Sequence, residues 1–343
     1  MRAMVLRSTA LLADNPRPLS LVDMPRPAPA AGEILIEIST CGVCHTELDE
    51  IEGRVPPPSL PIIPGHEVVG CVAENGHRSS RFKLGDRVGV GWIHSSDGSE
   101  KENLNVDFVA TGRDTNGGYA EYMTVPETYA YPIPAAFSDV EAAPLLCAGA
   151  VGYRALRLTG LENGQVLALT GFGGSGQLVL QMARHLYPGS PVYVFARSAD
   201  KRAFALELGA DWSGDTDDKP PSAPHAVIDT TPAWKPVLAA LAQLRPGGRL
   251  VMNVIRKEHA DRHLLADIRY EDHLWLEKEI KTVANVTRQD IAEFLPLAAH
   301  AGLKIATATY ALEAANAALL DLQSGQVRGA NVLLIKQMDT SIN

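Results

Sequence analysis

Apolar and polar positions follow two different rhythms along this chain, and the change of rhythm divides it. Residues 33–38 (Glu-Ile-Leu-Ile-Glu-Ile) are apolar and β-branched, and 68–73 and 87–90 look similar, which predicts strands. Turn-forming stretches at 25–32, 55–64 and 97–105 separate them, so the first part reads as β-rich and loop-rich. Near residue 150 the pattern changes. A short apolar strand at 166–170 is followed by glycines and a helical stretch over 177–185. Next come a strand at 192–195, a helix over about 200–208, a strand at 226–229, a helix ending near Leu244, and strands at 250–252 and 281–284. Strands alternating with helices predict a doubly wound parallel sheet. The run 331–335 is a strand with no βα partner after it, so the end of the chain is expected to return to the first domain. The fold class is therefore α/β: a β-rich domain plus a doubly wound one.

Composition narrows what such a chain does. Its 343 residues suffice for two domains with separate cores, and 46% hydrophobic against 21% charged is the balance of a soluble globular protein. A net charge of −9 argues against a sequence-independent grip on nucleic acid, which needs clustered Lys and Arg. No apolar run approaches the roughly 20 residues that span a bilayer. The first six residues give way to polar ones too soon for a signal peptide, so a cytoplasmic protein is expected. The four cysteines, Cys41, Cys44, Cys71 and Cys147, are too sparse for a secreted disulfide framework. They are buried small hydrophobes, redox thiols or metal ligands.

Two groups of residues carry candidate chemistry. Gly171, Phe172, Gly173, Gly174, Ser175 and Gly176 fit G-x-G-x-x-G between a predicted strand and a predicted helix. Glycines there permit a tight turn and close approach of the backbone to a pyrophosphate, while the helix N-terminus offers free N–H groups; a purely structural βα turn is the bland alternative. At the end of the next strand, where a carboxylate usually bonds the adenosine ribose, the chain reads Phe195, Ala196, Arg197, Ser198. A missing carboxylate beside an Arg is what a 2′-phosphate prefers, and a solvated Arg after a strand is the other reading. NADP(H) is thus favoured and NAD(H) remains possible. Ser198 adds a hydroxyl, and Lys201 and Arg202 add positive charge within one turn.

The second group is dispersed. Cys44, the pair His66-Glu67 and Cys147 supply two thiolates and one imidazole, the ligand types of a catalytic zinc with an open fourth position. Spacing alone leaves the alternatives open. A redox Cys41-x-x-Cys44 pair belongs in a different βα context, a structural site of four thiolates lacks a second close pair, and buried core cysteine stays possible for each.

The segments CGVCHTEL (41–48), PGHEVVG (64–70), RFKLGDRVGVGW (81–92), GGYAEYM (117–123), APLLCAGAVGYRAL (143–156) and GFGGSG (171–176) resemble, in that order, the zinc-dependent alcohol dehydrogenases of the medium-chain superfamily. VANVTRQD (283–290) resembles the bacterial members, and the likeness spans residues 3 to 335. The resemblance implies a GroES-like catalytic domain from 1–149 and 285–343 around a Rossmann domain at 150–284. It implies Cys44, His66 and Cys147 as catalytic zinc ligands, with Glu67 beside the metal and able to approach it when the fourth position is vacant. Thr46 matches the hydroxyl that accepts the alcohol proton, Glu47 a usual Asp contacting the histidine ligand, and Trp92 a bulky substrate-pocket residue. Gly171, Gly173 and Gly176, with Gly174 and Ser175 between them, hold the phosphates. The implied partners are a small alcohol or aldehyde and further copies of the chain, as a dimer or tetramer.

Three departures from that family bear on chemistry. Most relatives hold a structural zinc on four close cysteines after the GDRV strand, whereas 94–105 contains none. One catalytic zinc per chain is expected, with the lobe held by packing and turns. Asp49 stands where relatives often have a histidine treated as the outer end of the proton relay. Glu47 is longer than the usual Asp, so its bond to the histidine requires a shifted backbone or a different partner. A zinc-independent quinone or enone reductase of the same superfamily would not need Cys44, His66 and Cys147 together. A non-catalytic dinucleotide-binding relative would not need Thr46.

Overall fold

The computed structural model describes residues 1–325 and 329–336. Residues 326–328 and 337–343, which the sequence reading assigns to the catalytic domain, lie outside the described residues. The chain forms two compact units. The first comprises Met1–Cys147, Thr287–Ala299 and the chain from Lys304; the second comprises Ala148–Val286 and His300–Leu303.

The first unit opens with an antiparallel pair, β1 (Arg2–Leu6) and β2 (Leu19–Asp23). The strand expected at 33–38 runs to eleven residues, β3 (Glu33–Val43), because its apolar positions continue through Cys41 and Val43. Cys44, the residue after β3, is the N-cap of a short helix, α1 (His45–Ile51). β4 (Val68–Asn75), β5 (Arg87–Val90), β6 (Ile93–Ser95), β7 (Val109–Ala110), β8 (Tyr122–Pro126) and β9 (Ala130–Pro132) follow, then a single helical turn, α2 (Asp139–Ala142). β3 pairs antiparallel with β4 and β8, and β5 joins β4 to β9. Ile34, Ile36, Ile38, Val68, Val88 and Val125 face one core, with Met4 and Leu6 of β1 beside them.

The second unit is a βα alternation: α3 (Ala148–Thr159), β10 (Leu167–Thr170), α4 (Gly174–Leu186), β11 (Val192–Phe195), α5 (Ala199–Glu207), β12 (Trp212–Gly214), β13 (Ala226–Asp229), α6 (Lys235–Gln243), β14 (Arg249–Met252), α7 (Tyr270–His273) and β15 (Glu279–Thr282). All six strands are parallel in the order β12-β11-β10-β13-β14-β15, a doubly wound sheet whose order reverses between β10 and β13. The last strand lies two residues earlier than its apolar run suggests, because register with β14 pairs Glu279 with Arg249 and Ile280 with Leu250. The glycine-rich helix begins three residues before the expected 177, since Gly174, Ser175 and Gly176 form its first turn.

The chain then supplies α8 (Arg288–Ala301), β16 (Thr307–Ala311), α9 (Ala315–Ser324) and β17 (Ala330–Leu334). β17 pairs antiparallel with β3, so the late apolar run completes the sheet of the first unit. No helix among the described residues is long and apolar enough to cross a membrane.

Candidate metal centre and dinucleotide loop

In the first unit, strand and helix ends bring the dispersed Cys and His residues together. Cys44 is held where β3 turns into α1, and Glu47 fixes that turn: its Oε2 accepts the Cys44 backbone N–H at 2.7 Å in a capping box. Cys147 follows a 3-10 turn, Ala143–Leu146, whose Pro144 lies at its start. His66 precedes β4 in a segment paired backbone to backbone with 117–119: Gly117 N donates to Ile63 O at 2.7 Å, Gly118 N to Gly65 O at 2.8 Å and Tyr119 N to Pro64 O at 2.9 Å. The GGYAEYM stretch thus acts as a rail that sets the height of His66.

One ligand atom from each of Cys44, His66, Glu67 and Cys147 lies within 4.8 Å of every other. The two sulfurs are 3.9 Å apart. A tetrahedral zinc with Zn–S of about 2.3 Å separates two thiolates by roughly 3.8 Å, so the thiols stand at the right span. His66 Nδ1 lies 2.5 Å from Glu47 Oε1, and the buried Nε2 has no hydrogen-bond partner among the described residues, which suits it to a metal. The longer Glu47 therefore reaches the histidine with one oxygen while capping the helix with the other. No different partner is needed.

The electrostatics ask for a cation. Contact with Cys147 holds the Cys44 thiol well below its ordinary range against the effect of burial, and the same contact pushes Cys147 up. Burial alone would lower His66, yet Glu47 and Cys44 raise it. Burial, followed by the charge of Cys44, pushes Glu67 up. As thiolates and carboxylates, these groups would repel one another out of water, and a divalent ion would relieve that repulsion. Gly42 is required here for space: a Cβ on it would stand 1.8 Å from Glu67 Oε2.

Around the four donors, Thr46 Oγ1 lies 3.7 Å from Cys44 Sγ. The Trp92 ring meets His66 edge-on at 6.5 Å and packs on Phe108 at 5.4 Å. Asp49 is only 5% exposed, and its Oδ1 accepts from Arg54 Nε at 2.5 Å. It is thus engaged in an ion pair rather than turned to open water. Cys41 is fully buried core, Cys71 is exposed, and neither belongs to the donor group.

Two residues escape the sequence reading. Glu50 is 1% exposed, and burial followed by the charge of Glu47 pushes its carboxyl up. Tyr119 is fully buried, its hydroxyl raised first by burial and then by Glu47. The acidic run at 47–50 is the available signal for Glu50, but a charge run on a short helix ordinarily reads as a solvated face.

The lobe at 94–105 is held by more than packing and turns. Glu102, 1% exposed, accepts from the Arg288 backbone N–H, from Arg288 Nε at 3.1 Å and from the Tyr129 hydroxyl at 2.9 Å. Arg288 also donates to Gly98 O at 2.7 Å.

In the second unit, β10 delivers the glycine loop to the N-terminus of α4. Gly171 has φ +83, a conformation L side chains rarely adopt, and a Cβ on it would stand 2.7 Å from Thr230 Oγ1. A Cβ on Gly176 would come within 3.0 Å of Gly171 O, whereas one on Gly173, the N-cap, would meet nothing within 4 Å. Ser175 Oγ donates to Ala148 O at 3.1 Å. A tight turn over an open cradle at a helix N-terminus suits a pyrophosphate. At the end of β11, Ala196 is buried while Arg197 and Ser198 are exposed. Arg202 Nη1 donates to Ala196 O at 2.7 Å and to Arg197 O at 2.8 Å.

Comparison with known proteins gives the family. Residues 30–135 match the alcohol dehydrogenase GroES-like domain family. The chain is 41% identical over 331 residues to a probable alcohol dehydrogenase of Mycobacterium tuberculosis, covering 93% of each. It is 33% identical to an alcohol dehydrogenase of Geobacillus stearothermophilus, over 96% of this chain and 99% of that one. Among solved structures, a cobalt- and zinc-bound thermostable alcohol dehydrogenase from Pyrobaculum aerophilum superposes with a TM-score of 0.83 at 25% identity, covering 98% of this chain and 99% of that one. A shared fold, coextensive relatives and a common domain family lead to one assignment: the chain belongs to the alcohol dehydrogenases of the medium-chain dehydrogenase/reductase superfamily.

Proposed function

We propose that this protein interconverts alcohols with aldehydes or ketones, using one catalytic zinc per chain and a nicotinamide dinucleotide. The observation that carries this reading is the convergence of Cys44, His66, Glu67 and Cys147 within 4.8 Å, with the Thr46 hydroxyl beside them. That the Pyrobaculum relative is cobalt- and zinc-bound supports zinc as the metal. Cys44, His66 and Cys147 would hold the zinc and the glycine loop at 171–176 the dinucleotide. Bound there, the zinc supplies a Lewis acid that polarises an alcohol or carbonyl oxygen, and the nicotinamide supplies or takes the hydride.

The chain's own residues do the rest. Glu47 holds His66 in the tautomer that leaves Nε2 free. Thr46, which is partly exposed, accepts the hydrogen bond of the alcohol hydroxyl and passes the proton on to solvent water. Trp92 and Phe108 offer an apolar aromatic wall against which a substrate can rest. Glu67, seated in the space that Gly42 leaves, would be within reach of a metal held there. Metal analysis of purified protein tests the zinc assignment: one ion per chain is expected, and two would refute the single site. Cys44→Ser should abolish both zinc and turnover while dinucleotide binding persists; a fully active variant would overturn the assignment.

For the cofactor, we infer a preference for NADP(H). Ala196 offers no ribose-binding carboxylate, Arg197 and Ser198 are exposed beside it, and the Arg202 guanidinium is anchored at the same strand end by two carbonyls. Asp215 lies 3.7 Å from Arg202 and dilutes that charge, which leaves NAD(H) usable. The measurement is kcat/KM with each cofactor for wild type and Ala196→Asp. Wild type should favour NADP(H) and the variant should lose that preference; a clear wild-type preference for NAD(H) refutes it.

We further infer that the chain self-associates. The edge strand β15 is exposed at all four residues, Ile280 among them at 47%. Tyr270, Trp275 and Leu276 lie nearby in sequence, each at least half exposed. An unpaired strand edge flanked by apolar side chains suits pairing with a second copy. The four free cysteines suit a reducing compartment, consistent with a cytoplasmic location.

A further inference from the structure

The second unit contains a buried charge pair for which the proposed chemistry has no use. Lys257, in the segment after β14, is 8% exposed at its side chain, and Asp229, the last residue of β13, is wholly buried. The Lys257 ammonium donates to Asp229 Oδ2, to Thr231 O at 2.7 Å and to Ala233 O at 3.1 Å. Its three N–H donors are thereby spent. Asp229 Oδ1 accepts in turn from the Thr170 hydroxyl at 2.5 Å and the Thr231 hydroxyl at 2.7 Å.

This network reaches the glycine loop. Thr170 ends β10 and immediately precedes Gly171. Thr230 bonds back to Thr170 O through its backbone N–H at 2.9 Å and its hydroxyl at 3.0 Å. A Cβ placed on Gly171 would lie 2.7 Å from Thr230 Oγ1 and 2.9 Å from Thr231 Cγ2. The turn after β13 therefore fills the space beside the loop's first glycine, and neither can shift without the other. A second tie runs parallel to the first: Asn253 N donates to Asp229 O at 2.7 Å, and Asn253 Nδ2 donates to Ser175 Oγ at 3.2 Å in the first turn of α4. The ends of β10, β13 and β14 are thus bound into one block at the point where the strand order reverses, where ligands of such sheets sit.

We propose that Lys257 and Asp229 are positioning residues for the dinucleotide. They lock the 230–233 turn against Gly171 and so hold the pyrophosphate loop in its binding conformation, an inference that rests on the dinucleotide reading of that loop. They do not touch the ligand, because every donor of Lys257 is already committed. Without the ammonium, Asp229 is left a buried, uncompensated charge and the carbonyls of Thr231 and Ala233 lose their donor, so the turn relaxes rather than staying in place.

The test uses the zinc-loaded full chain and calorimetric titration with NADP(H) and NAD(H). Lys257→Met should raise the dinucleotide Kd by about tenfold or more, as expected for loss of hydrogen bonds to a charged group. The dinucleotide KM should rise in parallel, while kcat at saturation, zinc content and the alcohol KM stay near wild type. A folded Lys257→Met with unchanged Kd overturns the proposal, as does a fall in both kcat and alcohol KM without a change in Kd. Should that variant fail to fold, Thr231→Val and the charge-neutral double variant Asp229→Asn/Lys257→Met decide by the same Kd; unchanged binding in both overturns it. A wild type that binds neither dinucleotide would instead bring down the reading of the loop itself.

Discussion

At the scale of single residues, Glu47 joins two tasks that are easily taken for one. Its Oε1 lies 2.5 Å from His66 Nδ1 and its Oε2 caps Cys44, so one carboxylate orients two proposed ligands at once. Glu47→Gln should keep much of the cap but lose the charge behind the imidazole. Zinc affinity, read by chelator competition, should then fall about 10–100-fold, the usual cost of losing a partner behind a ligand. Thr46 and Asp49 separate equally clearly. Thr46→Ala should lower alcohol oxidation by roughly 10²–10⁴-fold, the worth of general acid–base assistance. Asp49 is bonded to Arg54, so Asp49→Asn should leave kcat near wild type and lower thermal stability instead. Steady-state rates and melting curves on both variants check this; an Asp49 variant as slow as the Thr46 variant would restore Asp49 to the relay. Sequence reading reaches these residues by type and neighbourhood. It misses that Asp49 and Glu50 are buried, because a run of carboxylates on a seven-residue helix looks solvated until α9 packs against it.

At the scale of elements, the lobe between β6 and β7 does without a cluster of thiolates by using a carboxylate. Glu102 gathers two donors from Arg288 and one from Tyr129, and Arg288 reaches on to Gly98. Burial, and then its hydrogen bond to Glu102, pushes the Tyr129 phenol up to about 12. Glu102→Ala strips three donors of their acceptor. Loss of one partner of a buried pair costs about 3–5 kcal/mol, and the partial exposure of Arg288 places this case toward the lower end. The expected signature is a melting temperature several degrees lower and faster amide exchange over 94–105, with zinc content unchanged. Equal exchange in variant and wild type would refute the role. Helices and strands with a clear period are legible here from sequence. The Glu102–Arg288 pair is not, because the two residues are 186 positions apart and neither carries a periodic signal.

At the scale of the whole molecule, each proposed cofactor has its residues within one unit: the thiols and imidazole in the first, the glycine loop in the second. The proposed self-association would run through β15. Ile280→Lys should then give a smaller species than wild type in light scattering while dinucleotide binding persists. An unchanged mass would move the interface elsewhere.

The sequence alone determined the alternation of strands and helices, the position of the glycine loop, the three residue types proposed as ligands and the family, because these are properties of local period, residue chemistry and order. Tertiary structure decided which donors meet and how they are supported. The 3.9 Å between Cys44 and Cys147 follows from a strand end and a 3-10 turn more than a hundred residues apart, and the Lys257–Asp229 lock from the last residue of one parallel strand and the segment after its neighbour. Such contacts are set by strand order and by what burial leaves unsatisfied, and neither is encoded within any one window of the chain.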